Sequence, residues 1–341
     1  MVRIGIIGIG GISAKHIKEL KTLPDAEIVA ICDIDEKKLE SVGESLGIPK
    51  TRRFIDYKKL VDADFVDAVE ICTPNYLHVP MAKYVLERGK HVEVEKPLSI
   101  NSEGIPELLA LAKEKNVANM MCFSYRFYPA VRYAKKLISD GILGKIINVG
   151  VEYLKDSAFF EGRRLEWRFV KEYAGSGVLG DLGVHLIDMT RFLVGDFESV
   201  YAMKNIIVDK RKRLDSEEIA DVETDDIISF VARLENNVIA NYTVTRCAKG
   251  NANTIKYEIF GTEGVMSFNL NNPKDITYFK DGKLVTESVP EEYKVGQEET
   301  FVNAVLGRSV EHFPNINEGA ECQKIVDAIL DSSEKNIIVN I

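Results

Sequence analysis

Short apolar runs alternate with amphipathic stretches over roughly the first third of the chain. The runs fall at residues 2–7, 28–32, 68–72, 91–94 and 117–122, and the intervening 36–46, 79–88 and 103–114 carry apolar positions at helical spacing. Unbroken apolar runs separated by helices predict a parallel sheet covered on both faces. Gly89 is placed to end one of these helices, and Asn101 or Ser102 to begin the next. After Tyr125 the period shortens to two. Segments 146–154, 227–234, 238–246, 255–260 and 265–270 alternate, and Asn236-Asn237 and Gly261-Thr262-Glu263-Gly264 sit at hairpin distance between pairs of them. In 238–246, Val238, Ala240, Tyr242 and Val244 share one face, while Ile239, Asn241, Thr243 and Thr245 share the other. This predicts a mainly antiparallel sheet with one apolar and one mixed face, of the kind that packs against a copy of itself. The polar stretch 209–226 reads as a surface loop, and 316–332 as a helix with Ala320, Ile325, Ala328 and Ile329 inward. The expected class is α/β: a doubly wound parallel sheet over residues 1–123, then an α+β domain with a large open sheet over 124–341.

The way the first run ends adds chemistry to that pattern. It breaks into Gly8-Ile9-Gly10-Gly11-Ile12-Ser13 and restarts as a helix. Gly8 permits the tight turn, Gly10 lets backbone approach a phosphate, and the helix start offers amide hydrogens and a positive dipole end. Ser13 stands where a third glycine is usual, and it is small enough for close helix–strand packing. The next strand ends at Asp33, about 20 residues on, where a carboxylate accepts from a ribose 2′-OH and repels a 2′-phosphate. A Rossmann dinucleotide site is expected, with Gly8, Gly10, Gly11, Ile12 and Asp33 holding NAD in preference to NADP. Lys37 and Lys38, close behind Asp33, leave room for some NADP.

Composition narrows the field. The chain has 341 residues, 45% of them hydrophobic and 28% charged, which fits two globular domains with real cores. A net charge of −9 argues against nucleic acid or an anionic membrane as partner. Five scattered cysteines without a C-x-x-C pair, no signal-peptide pattern and no long apolar run predict a reduced, cytoplasmic protein without structural zinc.

Three further segments carry candidate chemistry. Thr73-Pro74-Asn75-Tyr76-Leu77-His78 follows the third run, where strand ends form the ligand crevice. It borders a cofactor or simply starts a helix, with His78 a partner in the first turn. Glu95-Lys96-Pro97 follows the fourth run, and Pro97 fixes the backbone so that Lys96 faces the crevice. In the stretch from Gly175 to Asp188, Asp181 and His185 are spaced to stack on one α-helical face, about 6 Å apart along the axis. A neutral imidazole can take the proton leaving a hydroxyl while a carboxylate stabilises the imidazolium; a plain structural pair fits the same spacing. Asp188 is free to cap or pair. No His/Cys/Asp cluster has metal-ligand spacing, so no metal is expected.

Taken in order, Gly8-x-Gly10, Thr73-Pro74-Asn75-x-x-His78, Glu95-Lys96-Pro97 and Asp181-x-Gly183-x-His185-x-x-Asp188 resemble the Gfo/Idh/MocA oxidoreductases (glucose–fructose oxidoreductase and inositol dehydrogenase types) along essentially the whole chain. The resemblance implies hydride transfer between NAD(P) and a ring carbon of a monosaccharide or cyclic polyol, a CH–OH dehydrogenase. It implies catalytic roles for Lys96, Asp181 and His185, cofactor contacts from Thr73, Pro74, Asn75, His78, Glu95 and Lys96, and a substrate contact from Arg126 in Tyr125-Arg126-Phe127. Trp167-Arg168-Phe169 is similar to the sugar and anhydrosugar branch, with the Trp167 indole and Arg168 facing a pyranose; a packed core tryptophan is the alternative. A homodimer or homotetramer through the second sheet is implied as well. The family also contains non-catalytic NAD sensors and NADP(H)-dependent sugar or dihydrodiol dehydrogenases, the rival readings.

Overall fold

A computed structural model describes all 341 residues. Along the first 122 residues the elements are β1 (Val2–Ile7), α1 (Ser13–Leu20), β2 (Ala26–Cys32), α2 (Glu36–Ser45), β3 (Arg53–Phe54), α3 (Tyr57–Val61), β4 (Ala68–Ile71), α4 (His78–Glu87), β5 (His91–Val94), α5 (Ile105–Lys115) and β6 (Asn119–Met121). There follow α6 (Pro129–Ser139), β7 (Ile146–Leu154), α7 (Lys171–Ala174), α8 (Val184–Leu193), β8 (Phe197–Asn205), β9 (Lys210–Lys212), β10 (Ile219–Asp221), β11 (Ile227–Leu234), β12 (Ile239–Thr245), β13 (Thr254–Gly261), β14 (Gly264–Asn269), β15 (Asp275–Lys280) and β16 (Lys283–Ser288). The chain ends in α9 (Gln297–Val305), α10 (Ile316–Lys335) and β17 (Val339–Asn340).

Two compact units result. The first takes residues 1–122 and 296–320, the second 123–295 and 321–341. The sequence pattern kept everything after 124 in one C-terminal domain. The structure instead returns 296–320 to the first unit, because the buried Phe301, Val302 and Ile316 complete its core. Composition could not show this, since the first turn of α9, Gln297-Glu298-Glu299-Thr300, is wholly polar.

The first unit is a six-stranded, all-parallel sheet in the order β3-β2-β1-β4-β5-β6. β1, β4 and β5 are buried almost throughout, as strands covered on both faces must be. Gly8 has a φ of +87°, and a Cβ there would lie 2.7 Å from the Cys72 carbonyl oxygen, so only glycine makes this turn. The Asp35 carboxylate caps α2 through the Lys37 and Lys38 amides. Gly89 closes α4 at positive φ as predicted, but α5 starts at Ile105 behind Gly104, and Asn101 accepts from the Glu103 amide in the preceding turn.

The second unit holds a nine-stranded sheet, β16-β15-β14-β13-β7-β12-β11-β8-β17, antiparallel except for the β7–β12 pair. Asn236 and Asn237, both at a φ of 60°, turn β11 into β12. Val238, Ala240, Tyr242 and Val244 are buried as their shared face requires, and Tyr242 and Tyr257 donate from the sheet to Thr190 Oγ1 (2.9 Å) and the Leu186 carbonyl (2.7 Å) of α8. The opposite face carries exposed Tyr201, Met203 and Val231.

The stretch 209–226 is more than a surface loop. β9 and β10 pair within it, and its end is buried. Asp225 accepts from the Gly177 and Leu179 amides at 2.6 and 3.0 Å. Asp226 accepts from Ile207 and Val208 and pairs with Arg246. A polar run looks solvated when its partners lie dozens of residues away. No helix is long and apolar enough to cross a membrane.

Candidate active site

Each unit presents its own set of polar groups. In the first, parallel strands deliver the ends of β1, β2, β4 and β5 to one rim. Asp33, following β2, accepts from the Ile9 amide through Oδ2 (3.0 Å) and from the Asp35 amide through Oδ1 (2.9 Å), so the glycine turn and the acidic residue are one hydrogen-bonded piece. Ser13 is buried and donates from Oγ to the Gly10 carbonyl at 2.8 Å, which explains why serine serves at the third position. Gly10, Gly11 and Ile12 are exposed, and a Cβ built on Gly10 or Gly11 would meet nothing within 4 Å. Packing inside the chain therefore does not demand these two glycines; open space above bare backbone at a helix start is the cradle a pyrophosphate needs. These residues fit a dinucleotide.

The loops after β4 and β5 are tied together. His78 is fully buried, with Nδ1 2.7 Å from the Pro97 carbonyl and Nε2 2.9 Å from the Thr73 carbonyl. Burial lowers its pKa below the usual histidine range. Glu95 is buried too: Oε1 lies 3.1 Å from His16 Nε2, and Oε2 accepts the Lys96 amide at 3.0 Å. The resemblance implies cofactor contacts for both side chains. The structure instead commits them to protein partners, where they set the shape of the rim. Thr73 and Pro74 are half-buried there, Asn75 is buried, and Lys96 is partly exposed beyond its cis peptide bond to Pro97.

In the second unit, Asp181 and His185 do not stack along one α-helical face. Leu179–Gly183 winds as a π-turn and α8 starts at Val184. The wider turn is held from outside, by Asp225 on two amides and by Ser176 Oγ on the Gly180 amide (2.9 Å); such turns recur at functional sites. Asp181 sits 3.9 Å from Arg168 Nε, and the Arg168 guanidinium lies 4.3 Å over the Trp167 ring. Trp167, Arg168 and Asp181 thus form one ledge, each partly exposed, and the tryptophan is not a core residue. The Tyr125 ring packs 4.3 Å from that of His185, and its hydroxyl is 2.6 Å from that of Tyr153. Burial pushes the Tyr125 phenol up to about 12, so it stays protonated. No sequence pattern assigns a role to either tyrosine: Tyr153 reads as one more inward position of an alternating strand.

Arg126 departs from its implied substrate role. It is buried, and Nε lies 2.9 and 2.8 Å from the two carboxylate oxygens of Asp188, with a third contact of 2.6 Å from the second guanidinium nitrogen. A guanidinium so engaged anchors the entry into the second unit on α8.

Comparison with known proteins agrees with this geometry. Residues 2–123 match the description "Oxidoreductase family, NAD-binding Rossmann fold", and 131–267 match the GFO/IDH/MocA C-terminal domain. The levoglucosan dehydrogenase of Pseudarthrobacter phenanthrenivorans is 33% identical over 286 residues, 79% of this chain and 73% of that protein. The glucose-6-phosphate 3-dehydrogenase of Bacillus subtilis is 31% identical over 80% of this chain and 76% of its own length. A solved structure of levoglucosan dehydrogenase in complex with NADH and levoglucosan superposes with a TM-score of 0.91 at 29% identity, covering 100% of this chain and 99% of that one. The chain belongs to the GFO/IDH/MocA family of oxidoreductases. It is an NAD(P)-dependent dehydrogenase.

Replacing Arg126 by Met removes the guanidinium that matches the buried Asp188 carboxylate, and should cost about 3–5 kcal/mol of stability. The added Asp188→Leu change should restore most of it, read by thermal unfolding. A raised KM for the sugar with unchanged unfolding would return Arg126 to substrate binding.

Proposed function

We propose that the protein oxidises a secondary alcohol on a monosaccharide, an anhydrosugar or a cyclic polyol, with NAD as acceptor. The observation that carries this reading is the ledge of Trp167, Arg168 and Asp181 beside His185. An indole face suits the C–H face of a sugar ring, and a guanidinium and a carboxylate beside it suit the hydroxyls at its edge. The compounds for which these relatives are named, levoglucosan and glucose 6-phosphate among them, are of this class. Asp33, free of any 2′-phosphate-binding arginine in its own loop, supports NAD over NADP.

When bound, the nicotinamide supplies the hydride acceptor. The chain's own groups manage the proton and the charge. Lys96 donates to the alcohol oxygen and favours its oxyanion character. His185 takes the hydroxyl proton as the C–H bond gives up its hydride, leaving a carbonyl. Asp181 stabilises the resulting imidazolium. Tyr125 packs on the imidazole and fixes its plane. The same set run backwards reduces a ketose carbonyl.

The open face of the large sheet supports a homo-oligomer. It forms a shallow concavity of about 670 Å³, lined by Tyr201, Met203, Val231, Asn241 and Thr243 among others. Met203 is 67% exposed there, an apolar side chain that a second copy would cover.

Three measurements test these proposals. Lys96→Ala should lower kcat by roughly a hundredfold or more while NADH binding, followed by fluorescence, stays near wild type; near-full turnover would remove Lys96 from the chemistry. Asp33→Ala should raise the KM for NAD about ten- to a hundredfold and narrow the gap to NADP. Equal losses with both cofactors would sink the ribose contact. Met203→Glu combined with Val231→Glu should reduce the particle mass in light scattering, and an unchanged mass would clear this face of any role in assembly.

A further inference from the structure

The first unit buries a cluster of acids that the proposed reaction does not use. Glu70 on β4 and Glu93 on β5 are direct cross-strand partners, so their carboxylates stand side by side on one face of the sheet. Both are essentially inaccessible to solvent. Like charges directly opposite in a ladder repel, and burial multiplies the cost. From the layer above, α1 adds His16 and α9 adds Glu298, both buried as well. His16 Nδ1 lies 2.8 Å from Glu298 Oε1 and 3.7 Å from Glu70 Oε2.

These contacts are close without being satisfied. His16 Nδ1, both oxygens of Glu70, Glu93 Oε2 and Glu298 Oε2 are shut off from solvent and make no hydrogen bond. The remaining atoms are engaged from outside the cluster. Glu93 Oε1 accepts from Gln297 Nε2 at 2.8 Å and from Cys122 Sγ at 3.4 Å; Glu298 Oε1 accepts from Gln297 Nε2 at 3.2 Å. Since His16 Nε2 donates to Glu95 Oε1, the neutral imidazole would aim the Nδ1 lone pair at carboxylate oxygens. Such a cavity needs positive charge at its centre.

Protons could supply that charge, but the geometry favours a metal. The ligand atoms of His16, Glu70, Glu93 and Glu298 all lie within 4.8 Å of one another. Four donors around one cation with bonds of about 2.1 Å stand about 3.4 Å apart in a tetrahedral shell, so drawing the donors in by about 1.4 Å at most closes it. Glu95 holding the far nitrogen of His16 is the carboxylate–histidine support that orients metal-binding imidazoles. We propose that His16, Glu70, Glu93 and Glu298 form a buried site for a divalent transition-metal cation, which fastens α1 and α9 to the centre of the parallel sheet. One imidazole with three carboxylates suits zinc, manganese or ferrous iron better than calcium or magnesium, which prefer oxygen alone. Cys72 and Cys122 border the cluster, but each groups only with His16 and one glutamate, whereas His16, Glu70, Glu93 and Glu298 form a four-donor set. The site is closed to solvent, and the ion would enter as the chain folds.

The full-length enzyme, produced in medium supplemented with zinc or cobalt(II) and passed through chelator-free gel filtration, tests this by elemental analysis. Wild type should carry about one equivalent. His16→Gln and the double change Glu70→Gln/Glu93→Gln should carry at least about tenfold less. The double variant keeps the shape of protonated carboxyls, so it should fold with the metal site removed, and circular dichroism checks this. The cobalt protein should show visible d–d absorption without thiolate charge-transfer bands, and production with a chelator should lower the wild-type unfolding midpoint but not that of the double variant. Wild type holding no more metal than the double variant would overturn the proposal and leave the cluster held by protons. Strong thiolate bands would overturn the ligand set in favour of the cysteines.

Discussion

When every strand of a sheet runs the same way, all its carboxyl ends emerge along one edge. The six parallel strands of the first unit impose that constraint, and the nucleotide-binding half of this protein follows from it. Gly8 turns the chain where it leaves β1, Asp33 reaches back to hold the turn, and Thr73, Pro74 and Lys96 leave β4 and β5 along the same rim. Apart from the adjacent Thr73 and Pro74, these residues lie more than 20 positions from one another in sequence. Their meeting is a property of strand direction, and the loops need only supply the right atoms at each exit.

Much of what surrounds that rim is positional rather than chemical. His78 and Glu95 stand inside motifs that suggest contact with a ligand, yet both spend their polar atoms on the protein. Arg126 does the same with Asp188. Each is a buried polar group that must be matched, since an unmatched one costs about 1–3 kcal/mol or more. A side chain that fixes a loop so that its neighbour can act is as necessary to the site as the neighbour. Lys96, with its amide held by Glu95, shows the division of labour within two adjacent residues.

The second unit meets a different requirement: a flat ligand edge needs a surface that is partly apolar and partly charged. The π-turn at Leu179–Gly183 gives one such arrangement, with Asp181 on the wide turn and His185 on the regular helix that follows. At Gly177 the Asp225 backbone leaves no room for a Cβ, and a Cβ on Gly183 would crowd Leu179. Family membership settles the class of reaction. Relatives named for different substrates share it, so family membership does not by itself choose among sugars and polyols.

The sequence by itself determined the alternation of strand and helix in residues 1–122, the glycine turn with its acidic partner, and the two-fold periodicity of the large sheet. These are local: each depends on residues close in the chain, whose spacing records which face is buried. Tertiary structure decided that His78, Glu95 and Arg126 spend polar atoms on the protein itself, because their partners lie far from them in sequence or on loops that no local pattern places. It also moved 296–320 into the first unit and buried Asp225 and Asp226 at the end of a run that reads as solvated. A faint signal of the acid cluster was present, since a glutamate at the centre of each of two strands buried on both faces, Glu70 and Glu93, breaks an apolar pattern. That they pair with each other, and with His16 and Glu298 from opposite ends of the chain, is a matter of contact across sequence distance, which no local pattern encodes.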